Sequence, residues 1–201
     1  MRTLAFDGRI GASGDMILGA LVSVGADPQA LGPVEASLPV SYDVQTVTKN
    51  GIAATTVDVR HEDADAETDG HTHEHEDDGP SHEHDGHNHE QDGHVHDGHG
   101  HGEHGHGHAE GAGPNRTYAE VVELVESMGL PSSVERDALA VFELLGEAEA
   151  NVHGTDITET HFHEVGADDA IADVVGTALL LADLDVERVV TAPLSAGVGT
   201  G

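Results

Sequence analysis

Cysteine is absent from this sequence, and basic side chains are scarce. A chain without cysteine has no disulfide framework, no thiolate zinc site and no thiol nucleophile. Lys and Arg number 7 against 39 Asp and Glu, which gives a formal net charge of -32. That charge argues against nucleic acid and anionic membranes as partners, because the chain has little with which to displace their counterions. No apolar run approaches a membrane span and the first residues do not form a secretory signal, so the sequence predicts a cytoplasmic protein.

Histidine is abundant and unevenly distributed. Fifteen of the 18 histidines lie within residues 61–108, and residues 61–113 also hold 16 Asp and Glu and 11 Gly, but no Lys or Arg. A segment of this composition cannot bury a hydrophobic core. The sequence therefore predicts one discontinuous folded domain, formed by 1–60 and 114–201, and a disordered His-rich metal-binding insertion at 61–113.

Outside this insertion the chain is still strongly acidic, and Lys49 is its only lysine. Excess carboxylate with little lysine is typical of proteins from very salty cytoplasm, where salt screens the self-repulsion. The composition favours a halophilic source over an ordinary acidic protein.

Hydrophobic periodicity predicts helices and strands in alternation. The predicted elements are a strand at 2–7, a helix capped by Ser13 and ended by Gly25, a short helix from Asp27 towards Ser37, hairpin strands at about 41–49 and 52–60, helices near 118–128 and 133–151, a brief strand at 160–165, a helix at 168–184 and a strand at 187–194. Asn50-Gly51 is a strong hairpin signal, and Thr117–Glu120 and Ser132–Glu135 both match the capping-box pattern. The alternation predicts a single α/β domain, with α+β left open.

The insertion contains repeated His-x-His pairs. In extended backbone, residues i and i+2 point to the same side, so each pair can chelate one ion. Imidazole suits Ni(II), Zn(II), Cu(II) and Co(II), and composition alone leaves nickel and zinc equally open. The alternative is a solvated low-complexity linker. The predicted metal ligands are His71, His73, His75, His82, His84, His87, His89, His94, His96, His99, His101, His104, His106 and His108.

A second group of candidate ligands lies in the ordered part of the chain. If 160–165 forms a strand, His161 and His163 share a face and can share a metal, with Asp168 at the start of the next helix. The spacing leaves an alternative equally open, in which Asp168 is a helix cap and the histidines are structural hydrogen-bonding groups. Two further carboxylates, one turn apart in the predicted helix, are Asp169 and Asp173.

The third candidate is the glycine-rich turn between Asp7 and Asp15. A strand, a turn and a helix N-terminus can hold a phosphate through backbone N–H groups, so Gly11 and Gly14 are candidate cofactor-binding residues. The spacing matches neither a P-loop nor a dinucleotide fingerprint, which favours a tight turn capped by Ser13. Asp7 and Asp15 can still hold a divalent ion.

Three ordered motifs frame the insertion. They are Leu4–Asp7 with Gly11–Leu21, then His161–Asp168 with Ile171–Gly176, and last Ala192–Leu194 with Gly197 and Gly199. Together, and with a His-rich insertion between the first two, they resemble the nickel insertion proteins of nickel-pincer cofactor synthesis, the LarC type. The resemblance extends over essentially the whole chain.

The resemblance implies a nickel chelatase that inserts Ni(II) into pyridinium-3,5-bisthiocarboxylic acid mononucleotide, the precursor of the cofactor of lactate racemase and related enzymes. It also implies that CTP is consumed with Mn(II) or Mg(II). By motif position it implies nickel binding at His161 and His163. The catalytic residues that it implies are Asp7, Ser13, Asp15, Glu164 and Asp168.

Two features depart from the family pattern. Many members carry a cysteine after the first-strand aspartate, where this chain has Gly8. Residues 195–201 are typical of a loop that enters further structure, which predicts a fragment or a separately encoded half. A C-terminal partner half and a homo-oligomer are therefore both open as protein partners.

Two rival functions remain open at this point. One is a non-catalytic nickel or zinc storage protein or metallochaperone, based on the histidine tract alone. The other is a metal-dependent hydrolase built on Asp7, Asp15 and His163.

Overall fold

A computed structural model describes residues 2–9, 11–49, 51–61, 113–162 and 164–193. In these ranges the elements are β1 (Thr3–Phe6), α1 (Gly14–Ser23), α2 (Gly32–Glu35), β2 (Val40–Lys49), β3 (Ile52–His61), α3 (Tyr118–Ser127), α4 (Ser132–His153), α5 (Asp168–Asp183) and β4 (Arg188–Thr191). Short 3-10 turns lie at Pro28–Leu31 and Ile157–Glu159. The predicted α/β class is confirmed. Of the helices described, none has the length and apolar character that crossing a bilayer requires.

The strands form two separate pairs. β2 and β3 are antiparallel and register from Val40 opposite His61 to Lys49 opposite Ile52, as the Asn-Gly signal predicts. Gly51 has a φ of +79°, the left-handed conformation that a tight hairpin turn needs. β1 and β4 pair in parallel and join the two ends of the described chain.

Helix α5 is the centre of the core. Its Ile171 and Val175 are fully buried in a cluster with α3, α4 and Phe142, while its Leu180 packs in a second cluster with α1. Burial of this many large aliphatic side chains is the main stabilising term for the domain. Because Ile171 lies in the first turn of α5, the N-terminal end of this helix packs in the same cluster as side chains of α3 and α4.

Two predicted local structures are wrong. The segment 160–165 is not a strand: in the described residues it forms only one isolated bridge, between Thr117 and His161. The Phe162 ring turns into the core and packs near Phe142, and a turn comes next, so the segment cannot continue alongside a partner strand. The second capping box is also absent, since Pro131 is the N-cap of α4 and none of the described side chains caps that helix.

The two N-terminal helices also differ in detail from the prediction. Ser13 is the N-cap of α1 by position, but its hydroxyl bonds to the Asp15 carboxylate and caps no backbone N–H. Asp27 does cap as predicted, accepting from the Gln29 N–H at 3.0 Å. After Asp27 the chain forms a 3-10 turn and then the single-turn α2, in place of one short helix.

Candidate functional site

The start of α5 carries a buried carboxylate. The Asp168 side chain is 1% exposed, and its Oδ1 lies 2.7 Å from Nη2 of Arg116. Its other oxygen, Oδ2, lies 3.1 Å from Nε2 of His61, which is itself buried. Asp168 is the first residue of the helix and Ala167 is the cap, so the carboxylate also lies near the positive end of the helix dipole. Both carboxylate oxygens therefore face protein groups.

One arginine and two glycines, Arg116, Gly166 and Gly113, form the surroundings of the Asp168 carboxylate. Arg116 also donates through Nη1 to the Gly166 carbonyl at 3.0 Å, and its own carbonyl accepts from the Phe162 N–H at 3.1 Å. A Cβ on Gly166 would lie 2.8 Å from that Arg116 carbonyl, and one on Gly113 would lie 2.4 Å from Asp168 Oδ2. Gly113 moreover has a φ of +99°. A side chain at either glycine would push these groups apart.

These contacts bring the two flanks of the His-rich tract to one place. β3 ends at His61, the described chain resumes at Gly113, and both residues approach the same oxygen of Asp168. The tract is therefore attached at the N-terminal end of α5, directly beside the motif that runs from His161 to Asp168.

A second cluster of carboxylates lies where α1 meets α5. A Cβ on Gly14 would lie 1.8 Å from Oδ2 of Asp173, so only glycine allows this approach. Burial, followed by the negative charges of Asp15 and Asp169, raises the pKa of Asp173 to about 7. Its Oδ1 is buried and accepts no hydrogen bond from the described residues. Asp173 can therefore take up or release a proton near neutral pH.

Tyr42 closes the inner side of this cluster. Its hydroxyl donates to the Ala172 carbonyl at 2.7 Å, and a Cβ on Gly176 would lie 2.9 Å from it. Burial, and then the charges of Asp173 and Glu35, raise the pKa of the Tyr42 phenol far above its usual range. Tyr42 therefore remains a protonated donor.

The predicted residues of the glycine-rich turn lie in different surroundings. The Asp7 carboxylate is exposed and accepts from Arg9 Nη2 at 2.6 Å, and this hydrogen bonding lowers its pKa. Gly11 has a φ of +91° with open space around it, so the backbone conformation alone requires glycine there. Gly14, by contrast, is required by the contact with Asp173.

The central motif is only partly described. His161 is exposed and lies close enough to Glu120 to help lower the pKa of that carboxyl, after the stronger effect of its hydrogen bonds with Thr117. Glu164 is also exposed. His163 and the predicted ligands of the tract lie outside the described residues, so the proposed sharing of a metal by His161 and His163 stays a prediction.

Within the described ranges, no three His, Asp or Glu side chains are arranged to hold a metal ion. The sequence reasoning also missed Arg116, which completes the buried cluster. One signal was present: Arg116 is the only Lys or Arg between Arg60 and Arg136, and it lies shortly after the insertion. Neither Tyr42 nor the buried state of His61 had a signal in the sequence.

Comparison with known proteins shows which family this sequence matches. The nickel insertion protein family matches residues 4–201. A protein of Akkermansia muciniphila, named as the pyridinium-3,5-bisthiocarboxylic acid mononucleotide nickel insertion protein, is 35% identical over 204 residues, covering 100% of this chain and 40% of its own length. A protein of Methanococcoides burtonii, provisionally named as a nickel insertion protein, is 32% identical over 201 residues, covering 100% of this chain and 39% of its own length.

A shorter match at higher identity is found in Picosynechococcus, in a protein with the same provisional name. It is 47% identical over 87 residues, or 43% of this chain and 21% of its own length. The chain thus spans about two fifths of the length of the full-coverage relatives. No solved structure matches the chain.

Proposed function

This chain belongs to the nickel insertion protein family, and on that premise we propose that it acts in inserting Ni(II) into pyridinium-3,5-bisthiocarboxylic acid mononucleotide. The substrate is the one in the name of the Akkermansia relative. In this proposal the reaction is that of a nickel chelatase of the lyase class, and it completes a cofactor for lactate-racemase-type enzymes.

The observation that carries the proposal is the position of the His-rich tract. Its two flanks meet at Asp168, beside the motif that includes His161 and Glu164. Nickel collected by the tract would then be released next to an exposed imidazole and an exposed carboxylate. Both are ligands from which Ni(II) can exchange.

The proposed chemistry is ligand exchange on the substrate metal. Ni(II) leaves imidazole and carboxylate ligands of the protein and becomes bound to sulfur and carbon of the organic precursor, with no change in its oxidation state. The protein's part is to supply neutral imidazoles, to present nickel at one place and to take up the protons that the exchange releases. Asp173, with a pKa of about 7, is a group that can accept such a proton near neutral pH.

The use of CTP with Mn(II) or Mg(II) is part of the proposal. Mg(II) is commonly held by one or two carboxylates together with substrate phosphates, and carboxylate oxygen is the donor that it prefers. Asp15, Asp169 and Asp173 offer this donor type at the N-terminal ends of α1 and α5, although no three-ligand site is formed in the described part of the chain. When bound, the ion would neutralise phosphate charge. Asp7 and Ser13, beside the same turn, are proposed to orient the nucleotide.

The setting of the reaction is also proposed. We place it in the cytoplasm of a salt-loving cell, where the acidic surface would be screened. Because the relatives are longer, further residues of the nucleotide site would come from a C-terminal region or partner half. A homo-oligomer stays open.

A reconstituted insertion reaction tests the proposal. The chain, together with the polypeptide that completes it to the length of its relatives, is incubated with the precursor, Ni(II), CTP and Mg(II). We expect a product whose mass has increased by nickel, detected by mass spectrometry, and no product when nickel is omitted. Absence of product in the complete mixture would reject the function.

Storage of nickel or zinc is the second candidate, and the density of histidine in the tract favours it. Deletion of 62–112 separates the two functions, and a short Gly-Ser bridge suffices because His61 and Gly113 both approach Asp168. Insertion by the deletion variant at raised nickel concentration would support the chelatase. Loss of both nickel binding and insertion at every concentration would support storage.

A further inference from the structure

The surroundings of Asp168 suit a side chain that fixes neighbouring segments better than one that reacts with a substrate. Only 1% of its side chain is exposed, which leaves little of the carboxylate accessible to a substrate. Arg116 Nη2 forms an ion pair with Oδ1, which accepts no hydrogen bond from the described residues, while Nη1 donates to the Gly166 carbonyl. One guanidinium thus connects the start of α5 with the turn before it. His61 engages the other oxygen from the end of β3.

We propose that Asp168 is a positioning residue and not a catalytic one, because it holds both flanks of the insertion, His61 and Arg116, against the first turn of α5. The proposal rests on the proposed function in one respect, which is that the tract between these flanks carries nickel. Asp168 then acts by fixing the point from which the tract delivers its ion towards His161 and Glu164.

The physical reason lies in the burial of the Asp168 carboxylate, whose side chain is 1% exposed against 16% for Arg116. When one partner of a buried ion pair is removed, the other charge remains uncompensated, so the local structure must open or admit water. The chain contains a matched exposed pair, in which Arg136 Nη2 lies 2.8 Å from Asp137 Oδ1, with side chains 73% and 62% exposed. Exposed pairs of this kind contribute little, because water replaces the lost partner.

The first experiment measures hydrogen exchange in the full chain. Asp168→Asn keeps the shape of the side chain but removes the charge that Arg116 needs. We expect the amides of Phe162 and Tyr118, which donate to the Arg116 and Thr160 carbonyls, to exchange faster by on the order of tenfold. Asp137→Asn, the matched control, should leave these amides at their wild-type rates.

Two variants of His61 test whether this residue acts through its contact with Asp168 or as a metal ligand. His61→Gln keeps a donor towards Asp168 and should retain wild-type exchange, whereas His61→Ala should speed exchange at the flanks only. If Asp168→Asn unfolds the whole domain, His61→Ala decides the matter: faster exchange confined to the flanks supports the proposal. Wild-type exchange in both Asp168→Asn and His61→Ala would overturn it.

The second experiment measures the rate at which nickel is inserted into the precursor as a function of nickel concentration. A positioning role predicts that Asp168→Asn raises the apparent KM for nickel by on the order of tenfold while kcat at saturating nickel is kept. A fall in kcat at saturating nickel with unchanged exchange would overturn the proposal, because Asp168 would then touch the reacting atoms. If the wild-type protein inserts no nickel, the proposed function fails, and the exchange experiment still decides whether Asp168 holds the flanks.

Discussion

Replacing Asp173 by Asn should make the protein more stable at alkaline pH. The Asp173 pKa is raised from 3.8 to about 7 by burial and by the charges of Asp15 and Asp169. Between these two pH values the folded protein binds a proton that the unfolded chain does not. The wild-type protein therefore loses stability as the pH rises from about 4 through about 7, and the Asn variant, which does not ionise, escapes that loss.

The magnitude depends on the size of the shift. One pKa unit corresponds to about 1.4 kcal/mol, so a shift of about three units sets an upper limit of ~4 kcal/mol. Asp173 is only partly buried and its neighbours can adjust, which reduces the expected effect to ~2 kcal/mol. In a domain of this size that is a rise in Tm of about 4–8 °C at about pH 8, and no rise near pH 4.

The assay is thermal unfolding of both proteins between about pH 4 and pH 8. All other ionisable groups are present in both proteins, so their contributions cancel in the difference. Glu126→Gln, on the exposed face of α3, is the control for loss of one negative charge. Parallel Tm curves for the wild-type and Asp173→Asn proteins over this range would refute the reasoning.

Core packing and the composition of the tract support three further predictions. Gly14→Ala places a methyl group 1.8 Å from Asp173 Oδ2, so it should lower the unfolding free energy by about 2 kcal/mol, whereas equal stability in a urea titration would mean that α1 and α5 can separate freely. Phe142→Ala, at a fully buried position, should lower the free energy of unfolding by about 3–5 kcal/mol. The control Leu144→Ala, at a position that is 68% exposed, should lower it by about 0.5 kcal/mol or less. Equal losses in the two variants would contradict the assigned core. Nickel binding measured by calorimetry should weaken below about pH 6.5, and a pH-independent affinity would argue against imidazole ligands.

Short-range signals predicted the elements well. The hairpin forms at Asn50-Gly51 between two Val- and Thr-rich runs, and the capping box of Thr117 and Glu120 is formed as expected. The start of α5 at Asp168 also agrees with the prediction. All three depend on interactions within a few residues, which a sequence displays directly.

The errors arose where tertiary contacts override local preference. Thr160–Val165 has the composition of a strand, but burial of Phe162 and the hydrogen bond of its N–H to Arg116 direct the segment elsewhere. Ser132 resembles a helix cap, but the helix already begins after Pro131. A local pattern allows such a structure without requiring it.

By itself the sequence determined the family, the α/β class, the hairpin and the His-rich composition of the tract, because each of these depends on the order of residues along the chain. Only the tertiary structure decided which side chains meet. His61 and Asp168 are 107 positions apart, and Arg116 and Gly166 are 50 apart. No periodicity connects groups so distant, and they come together only because the core packs α5 against its neighbours. That packing places the Asp168 carboxylate between His61 and Arg116, while its catalytic role stays a prediction.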